Sequence, residues 1–316
     1  MTTPIPGYAE NVSDDRLLGH IAWYTITEPD VTHEQLAEMV SDLPLNKSHL
    51  PSKPRLGDAF KRACRYSERK LLTYKQDQFV NFLIRKVTQS TNEVVRHLVI
   101  EIVDADGKTL EYHDVAHLEF DRKDNVLHVK RLKINTELDA LTQETLKLFT
   151  DKFDYATKHL DAQVIRLMIR HQLESMGAIS VRKQGSIYFA PMSAKDQTEA
   201  LEILCERLGS GSTFHALPLI DTSKQREMIV AAFEEEVHDE ATQIIGELQI
   251  HKAKGSQMTA RTFDAYRGRY ARLKDNAKEY AELVDNELTK TKTEITALDQ
   301  QLMELLTEGQ VKSDAN

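Results

Sequence analysis

The sequence predicts an α+β fold: a four-stranded antiparallel sheet with helices, a winged-helix-like helix–β-hairpin unit, and a long C-terminal antiparallel helical hairpin or coiled coil. Three observations carry this. The apolar period changes from 3.6 to 2 near Leu71 and returns to 3.6 near Thr136. The 316 residues hold 12 Gly and 8 Pro, about half the usual share, which disfavours a turn-rich all-β fold. From Thr222 onward almost every window fits a helix.

Taken in order, residues 1–70 read as a helical N-terminal segment. Asp14 or Asp15 can cap a helix running through Trp23, and Thr32 with Gln35 fits a capping box that opens a helix to about Leu43. After Pro44, Pro51 and Pro54, a further helix spans about Leu56–Arg69. Residues 71–135 read as a meander with strands Phe79–Thr88, Val94–Val103, Thr109–Phe120 and Val126–Ile134. Asp106-Gly107 signals a two-residue hairpin, since both turn positions would need positive φ. Asp121–Asn125 supplies the next turn.

Residues 136–221 read as the winged-helix-like unit. Helix Thr136–Leu160 leads into helix Asp161–Met176, which Gly177 terminates. Strands Ala178–Arg182 and Ile187–Ala190 flank a turn, Ser193 caps a helix to Leu208, and Phe214–Ile220 is a last strand. Residues 222–308 form the helical hairpin. Its first arm runs from Ser223 to Lys252 on a seam of Val230, Phe233, Val237, Ala241, Ile244 and Leu248. Its second arm, capped by Thr259, could reach Leu306, 48 residues on. The second seam is spaced 3-4-3-4 with one extra step of four at Val284–Leu288, the pattern of a coiled-coil stutter. That arm outlasts the first, so Ile295–Leu305 calls for another partner: the protein's own body, a second copy or another protein. Residues 309–316 read as a disordered tail.

Cys64 and Cys205 lie far apart and no secretion signal opens the chain, so reduced thiols in a cytoplasmic setting are expected. No apolar run approaches the roughly 18 residues of a membrane span, so no membrane partner is expected. The formal charge of −9 disfavours a general nucleic-acid binder. The charge is nevertheless segregated. Lys53–Lys75 and Lys252–Lys278 each hold eight basic residues against two acidic ones, while Glu227–Glu247 holds seven acids and no Lys or Arg.

Two groups of basic residues are candidates for DNA or RNA contact. Lys252, Lys254, Arg261, Arg267, Arg269 and Arg272 surround the hairpin break with Phe263, Tyr266 and Tyr270 among them. Cations can neutralise phosphates there and rings can stack on bases. The competing reading is that the acidic first arm pairs with the basic second arm and the aromatics fill the seam. Arg166 and Arg170 share a face of the candidate recognition helix, with Arg182 and Lys183 at the wing. Arginines so spaced are also ordinary on a solvated helix face.

No catalytic residue, cofactor or metal site is assigned. His113 and His117 lie about 13 Å apart along one strand, too far to share an ion. A cross-strand histidine pair depends on a register that the sequence leaves open. Glu235-x-x-His238 is half of a di-iron pattern without its second half. Asp104-Ala-Asp106-Gly107 begins like a calcium loop, but a hairpin explains it. Nucleophile elbows, phosphate loops and His-Glu-x-x-His motifs are absent from the sequence.

The stretch Leu173–Pro191 (LESMGAISVRKQGSIYFAP), then Phe214–Pro218 (FHALP) and the long helices after it, resembles an uncharacterised family of bacterial phage and mobile-element proteins. The likeness covers roughly residues 160–306. It implies a genomic setting rich in DNA-handling and host-interaction proteins, and no activity or site residues.

The functional expectation is a non-enzymatic interaction protein, oligomeric through its C-terminal helices, with the basic patches touching nucleic acid. A protein-binding scaffold or host-factor inhibitor is the alternative, and pairing of Glu234–Glu240 with the basic arm would distinguish it. An enzyme assembled from dispersed residues is the third reading. A pocket with convergent carboxylates or histidines would favour it.

Overall fold

The computed structural model describes residues 17–71, 77–132, 136–182, 186–253, 258–284 and 288–307. Along the chain the elements begin with β1 (Leu17–Thr25), α1 (His33–Val40), α2 (Leu56–Ser67), β2 (Arg69–Leu71), β3 (Gln78–Gln89), β4 (Glu93–Asp104), β5 (Thr109–Asp121) and β6 (Val126–Arg131). They continue with α3 (Thr136–Lys158), α4 (Ala162–Ser175), β7 (Ile179–Ser180), β8 (Ile187–Pro191), α5 (Lys195–Leu208) and β9 (Thr213–Ile220). Three long helices close the order: α6 (Ser223–Ala253), α7 (Ala260–Val284) and α8 (Thr289–Thr307). The α+β class therefore holds. The five successive segments read from the sequence are gathered into two units. One comprises Met1–Thr27, Val40–His49 and Arg166–Asn316, the other Glu28–Met39 and Leu50–Ile165.

In the first unit, the stretch expected to be a helix through Trp23 is the strand β1. It is a central strand of an antiparallel sheet ordered β7-β8-β1-β9. Ile21 lies opposite Phe189 on one side and Leu217 on the other. Both partners are about 170–200 residues away, so pairing decides the conformation and no local window reveals it. Gly19 suits the tight approach to β8, because a Cβ there would lie 2.1 Å from the Ala190 carbonyl oxygen. The β7–β8 hairpin is not isolated: β8 pairs onward with β1, so the helix–hairpin unit is built into a larger sheet, and the tip of the hairpin, residues 183–185, lies outside the described residues.

Helix α4 ends as expected at Gly177, whose φ is +75°. Ala178 N–H donates to the Leu173 carbonyl at 2.9 Å and Gly177 N–H to that of Glu174 at 3.4 Å, a Schellman ending. Ser193, expected to cap α5, instead donates its hydroxyl to Glu279. The largest correction concerns the C-terminal arm. It is two helices, α7 and α8, and the extra step at Val284–Leu288 marks where one ends and the other begins. Ile295, Leu298 and Leu302 are buried in one core with Val237, Ile244 and Leu248 of α6 and Phe263 and Leu273 of α7. The seam that lacked a partner in a two-helix hairpin finds it in the same chain.

In the second unit, the capping box of α1 forms. Thr32 N–H donates to Gln35 Oε1 at 2.8 Å and Gln35 N–H donates to Thr32 Oγ1 at 3.3 Å. The meander is a five-stranded sheet, β2-β3-β4-β5-β6, one strand more than expected. The short β2 was read as the end of a helix. Phe60, Ala63 and Cys64 of α2 and Phe149 of α3 pack with Val94, Leu118 and Phe120 of the sheet. The β4–β5 turn differs from the two-residue form. Only Gly107 has positive φ, and Asp104 Oδ1 accepts from the Asp106 and Lys108 amides at 3.1 and 2.8 Å. Those bonds account for the acidic cluster as turn chemistry.

Cys64 and Cys205 are both buried, and burial pushes each thiol up to about 12. Neither should react with Ellman's reagent in the native protein near pH 8, and both should react on unfolding in urea. Stoichiometric labelling of the native chain would contradict this placement.

Candidate functional site

The first unit holds a cavity of about 560 Å³. The end of α4 contributes Arg170 and Glu174, β7 contributes Ser180, and β8 contributes Tyr188. Glu235, Glu236, Asp239, Glu240 and Gln243 come from α6, and Arg272 and Asn276 from α7. The spacing explains the assembly. Phe233, Val237, Ala241 and Ile244 bury one stripe of α6. Glu236 and Glu240, four apart, flank that stripe, and Glu235 and Asp239 form the next row. Five carboxylates thus face two guanidiniums.

Ion pairs organise the floor. Arg170 Nε donates to Glu174 Oε1 at 2.8 Å. Arg272 lies 3.5 Å from Glu240 Oε1 and 4.0 Å from Glu174 Oε2. Arg269, behind them, bridges Glu240 at 2.7 Å and Glu247 at 2.9 Å. Glu236 Oε2 accepts the Ser180 amide at 2.7 Å. Burial raises the Glu236 carboxyl above the usual carboxylate range; Glu174 and Glu240 raise it further, while the Ser180 amide and Arg272 oppose the rise. Among the described residues, no three of these carboxylates come close enough together to share a metal ion. The arrangement suits a polar, positively charged group in a pocket of small-ligand size.

The ten basic candidates divide accordingly. Arg170, Arg269 and Arg272 converge on Glu174 and Glu240; the contacts of Arg269 and Arg272 with Glu240 are the acidic-to-basic pairing of the arms, while Arg170 and Glu174 both belong to α4. Lys290 of α8 adds a 3.3 Å pair to Glu234, and His238 a 2.7 Å contact to Glu294. Arg267 is exposed beside Asp264 at 3.4 Å. Arg166 donates to the Ile26 carbonyl. Arg182, Lys252 and Arg261 are exposed, and Lys183 and Lys254 lie outside the described residues. The other basic window is similarly engaged. Lys53 pairs with Glu34, Lys61 with Asp58, Arg65 with Asp161 and Arg69 with Glu144. Glu174 and Tyr188 were not singled out from the sequence. The acidic run on α6 was the visible signal, but its meaning depends on which helices pack against it.

Comparison with known proteins now places the chain. It belongs to DUF6744, a family of unknown function, whose model matches residues 17–313. That match is wider than the 160–306 stretch that carries the sequence resemblance, and the family description names no genomic setting. No curated protein and no solved structure matches the chain significantly. No helix of the described residues is long and apolar enough to cross a membrane.

Proposed function

We propose that this DUF6744 chain is a non-enzymatic interaction protein that receives a lysine or arginine side chain of a protein partner in the acid-lined cavity of its first unit. The observation that carries the reading is the convergence of five carboxylates on a pocket with two guanidiniums. The cross-arm pairs of Arg269, Arg272 and Lys290 support the protein-binding alternative over nucleic-acid contact. They engage basic charge that phosphates would otherwise attract. Ile295, Leu298 and Leu302 are buried within the chain, so the partner need not cover that seam. The buried free thiols suit a cytoplasmic setting. A protein partner also suits the phage or mobile-element setting that the sequence resemblance implies.

Calorimetry with a short peptide of alternating lysine and arginine tests this. Spermidine provides a small-molecule arm, and a DNA duplex is titrated in parallel by anisotropy at about 50 and 200 mM salt. The peptide should bind, and the double variant Glu235→Gln, Asp239→Asn should weaken it about tenfold or more, as the loss of charge-assisted contacts does. Steep salt-dependent DNA binding without peptide binding would overturn the reading in favour of the nucleic-acid one. Spermidine binding without peptide binding would replace the protein partner with a polyamine.

A further inference from the structure

In the second unit, the face of the five-stranded sheet opposite to Leu98 and Ile100 brings together His97, Asp114 and His117. Strand alternation alone would not do this. Asp114 and His117 are three residues apart, which in a regular strand puts them on opposite faces. The pairing of β4 with β5 steps from Leu98↔Ala116 to Val99↔Asp114, leaving Val115 as the extra residue of a bulge. That step turns Asp114 to the face of His117. His97 pairs directly with His117 and is two residues from Val99, so it shares the same face. Bulges re-aim side chains in this way next to functional sites.

The resulting geometry is close. The two imidazoles stack with ring centroids 3.8 Å apart and planes 11° from parallel. Asp114 Oδ2 lies 2.6 Å from His97 Nδ1 and 3.3 Å from His117 Nε2. The three donor atoms lie within 4.8 Å of one another. Tetrahedral zinc with bonds of about 2.0 Å needs its ligands about 3.3 Å apart, with the ion in the plane of each imidazole, so an ion enters when the stacked rings tilt out of parallel and the 2.6 Å contact of His97 with Asp114 opens by roughly 0.7 Å. A second observation is independent of those distances. Asp114 Oδ1 is buried and has no hydrogen-bond partner. Such an orphaned carboxylate oxygen is costly, and a cation beside it removes the cost.

We propose that His97, Asp114 and His117 form a zinc-binding site with a fourth position open to solvent. Two imidazole nitrogens and one carboxylate oxygen form a donor set that suits zinc, whereas calcium and magnesium favour all-oxygen sites. The side chains are 24%, 35% and 25% exposed, so the ion has a path in and room for a water or anion. Arg85 is the cross-strand neighbour of His97 and Lys130 that of His117. These two cations favour an anionic oxygen as the fourth ligand and hold the affinity below that of a closed structural site.

The test uses the full chain stripped of metal with a chelator. Zinc titration against a chromogenic competitor should give one ion per chain. Bound Co²⁺ should show the visible absorption of low-coordinate nitrogen–oxygen ligation. Asp114→Asn keeps the shape and the hydrogen bonding to both rings, and His117→Gln removes one nitrogen. Each should weaken zinc by about 100-fold or more, beyond the loss typical of second-shell changes. His113→Gln should bind as wild type, because His113 is engaged by Glu111 at 2.8 Å outside the cluster. Equal binding by wild type and Asp114→Asn would overturn the site, as would loss on His113→Gln or no saturable binding by the wild type.

Discussion

Replacing Tyr280 with alanine should destabilise the first unit by about 3–5 kcal/mol, the usual cost of removing a buried aromatic ring. Tyr280 is 1% exposed and sits where α6, α7 and the small sheet meet. Its ring stacks on Phe233 at 4.3 Å and meets Phe189 edge-on at 6.1 Å. Its hydroxyl donates to the Gly177 carbonyl at 2.8 Å, fixing the end of α4 beside the cavity. Burial raises the phenol well above its ordinary value, so it stays a neutral donor across the working pH range. The single tryptophan, Trp23, lies on β1 of the same unit, so its fluorescence follows this unit's unfolding. The urea midpoint read that way should fall by about 1–2 M. Tyr280→Phe keeps the ring and leaves the carbonyl without its donor, and should cost about 1–2 kcal/mol. A Tyr280→Ala midpoint equal to wild type would mean that the ring is not at the centre of this core.

Much of the architecture was legible where signals are local. The Thr32–Gln35 capping box, the Gly177 ending and the Thr259 cap of α7 all depend on residues within one turn, and all form. The strands β3 to β6 follow from alternation within windows of ten residues. The failures share a cause. β1 is held by strands far along the chain, so its nine residues could not announce themselves. The extra spacing at Val284–Leu288 has two readings, stutter or break. The choice depends on whether α8 gains more by folding back onto α6 than by continuing, which is a property of packing.

The candidate sites show the same limit. Segregation of acidic from basic charge was visible as counts, and it correctly raised arm-to-arm pairing as a competitor to phosphate binding. Which carboxylates would share a cavity was not visible, because Glu174 of α4 and Glu240 of α6 are brought together by Arg272 of α7. The histidines show it most sharply. From spacing alone, His113 and His117 are the natural pair and cannot share an ion. The cluster instead takes His97 from the next strand and Asp114 through a bulge, and a one-residue change of register would separate them.

Arg62→Ala should cost the second unit about 3–5 kcal/mol, the penalty for breaking a buried ionic network from one side. Arg62 belongs to the basic window Lys53–Lys75, and it is only 9% exposed. Its Nη1 donates to the His159 carbonyl at 2.6 Å, and its Nη2 to Glu28 Oε1 at 2.7 Å and the Leu160 carbonyl at 3.2 Å. Asp161 Oδ2 lies 3.4 Å from its Nε. One guanidinium therefore joins α2 to two distant stretches, around Glu28 and around His159–Asp161. The planar fork is what makes this reach work, so Arg62→Lys should recover only part of the loss. Alanine leaves two inward-facing carbonyls and the 18%-exposed Asp161 side chain without that partner, whereas Glu28, 45% exposed, can rehydrate. Hydrogen exchange should accelerate in α2 and around residues 159–161, and the unfolding midpoint followed by circular dichroism should fall. The Trp23 transition, which reports the other unit, should move less. Unchanged protection in α2 would show that its apolar contacts with Phe120 and Phe149 suffice to hold it, and that the guanidinium network is dispensable.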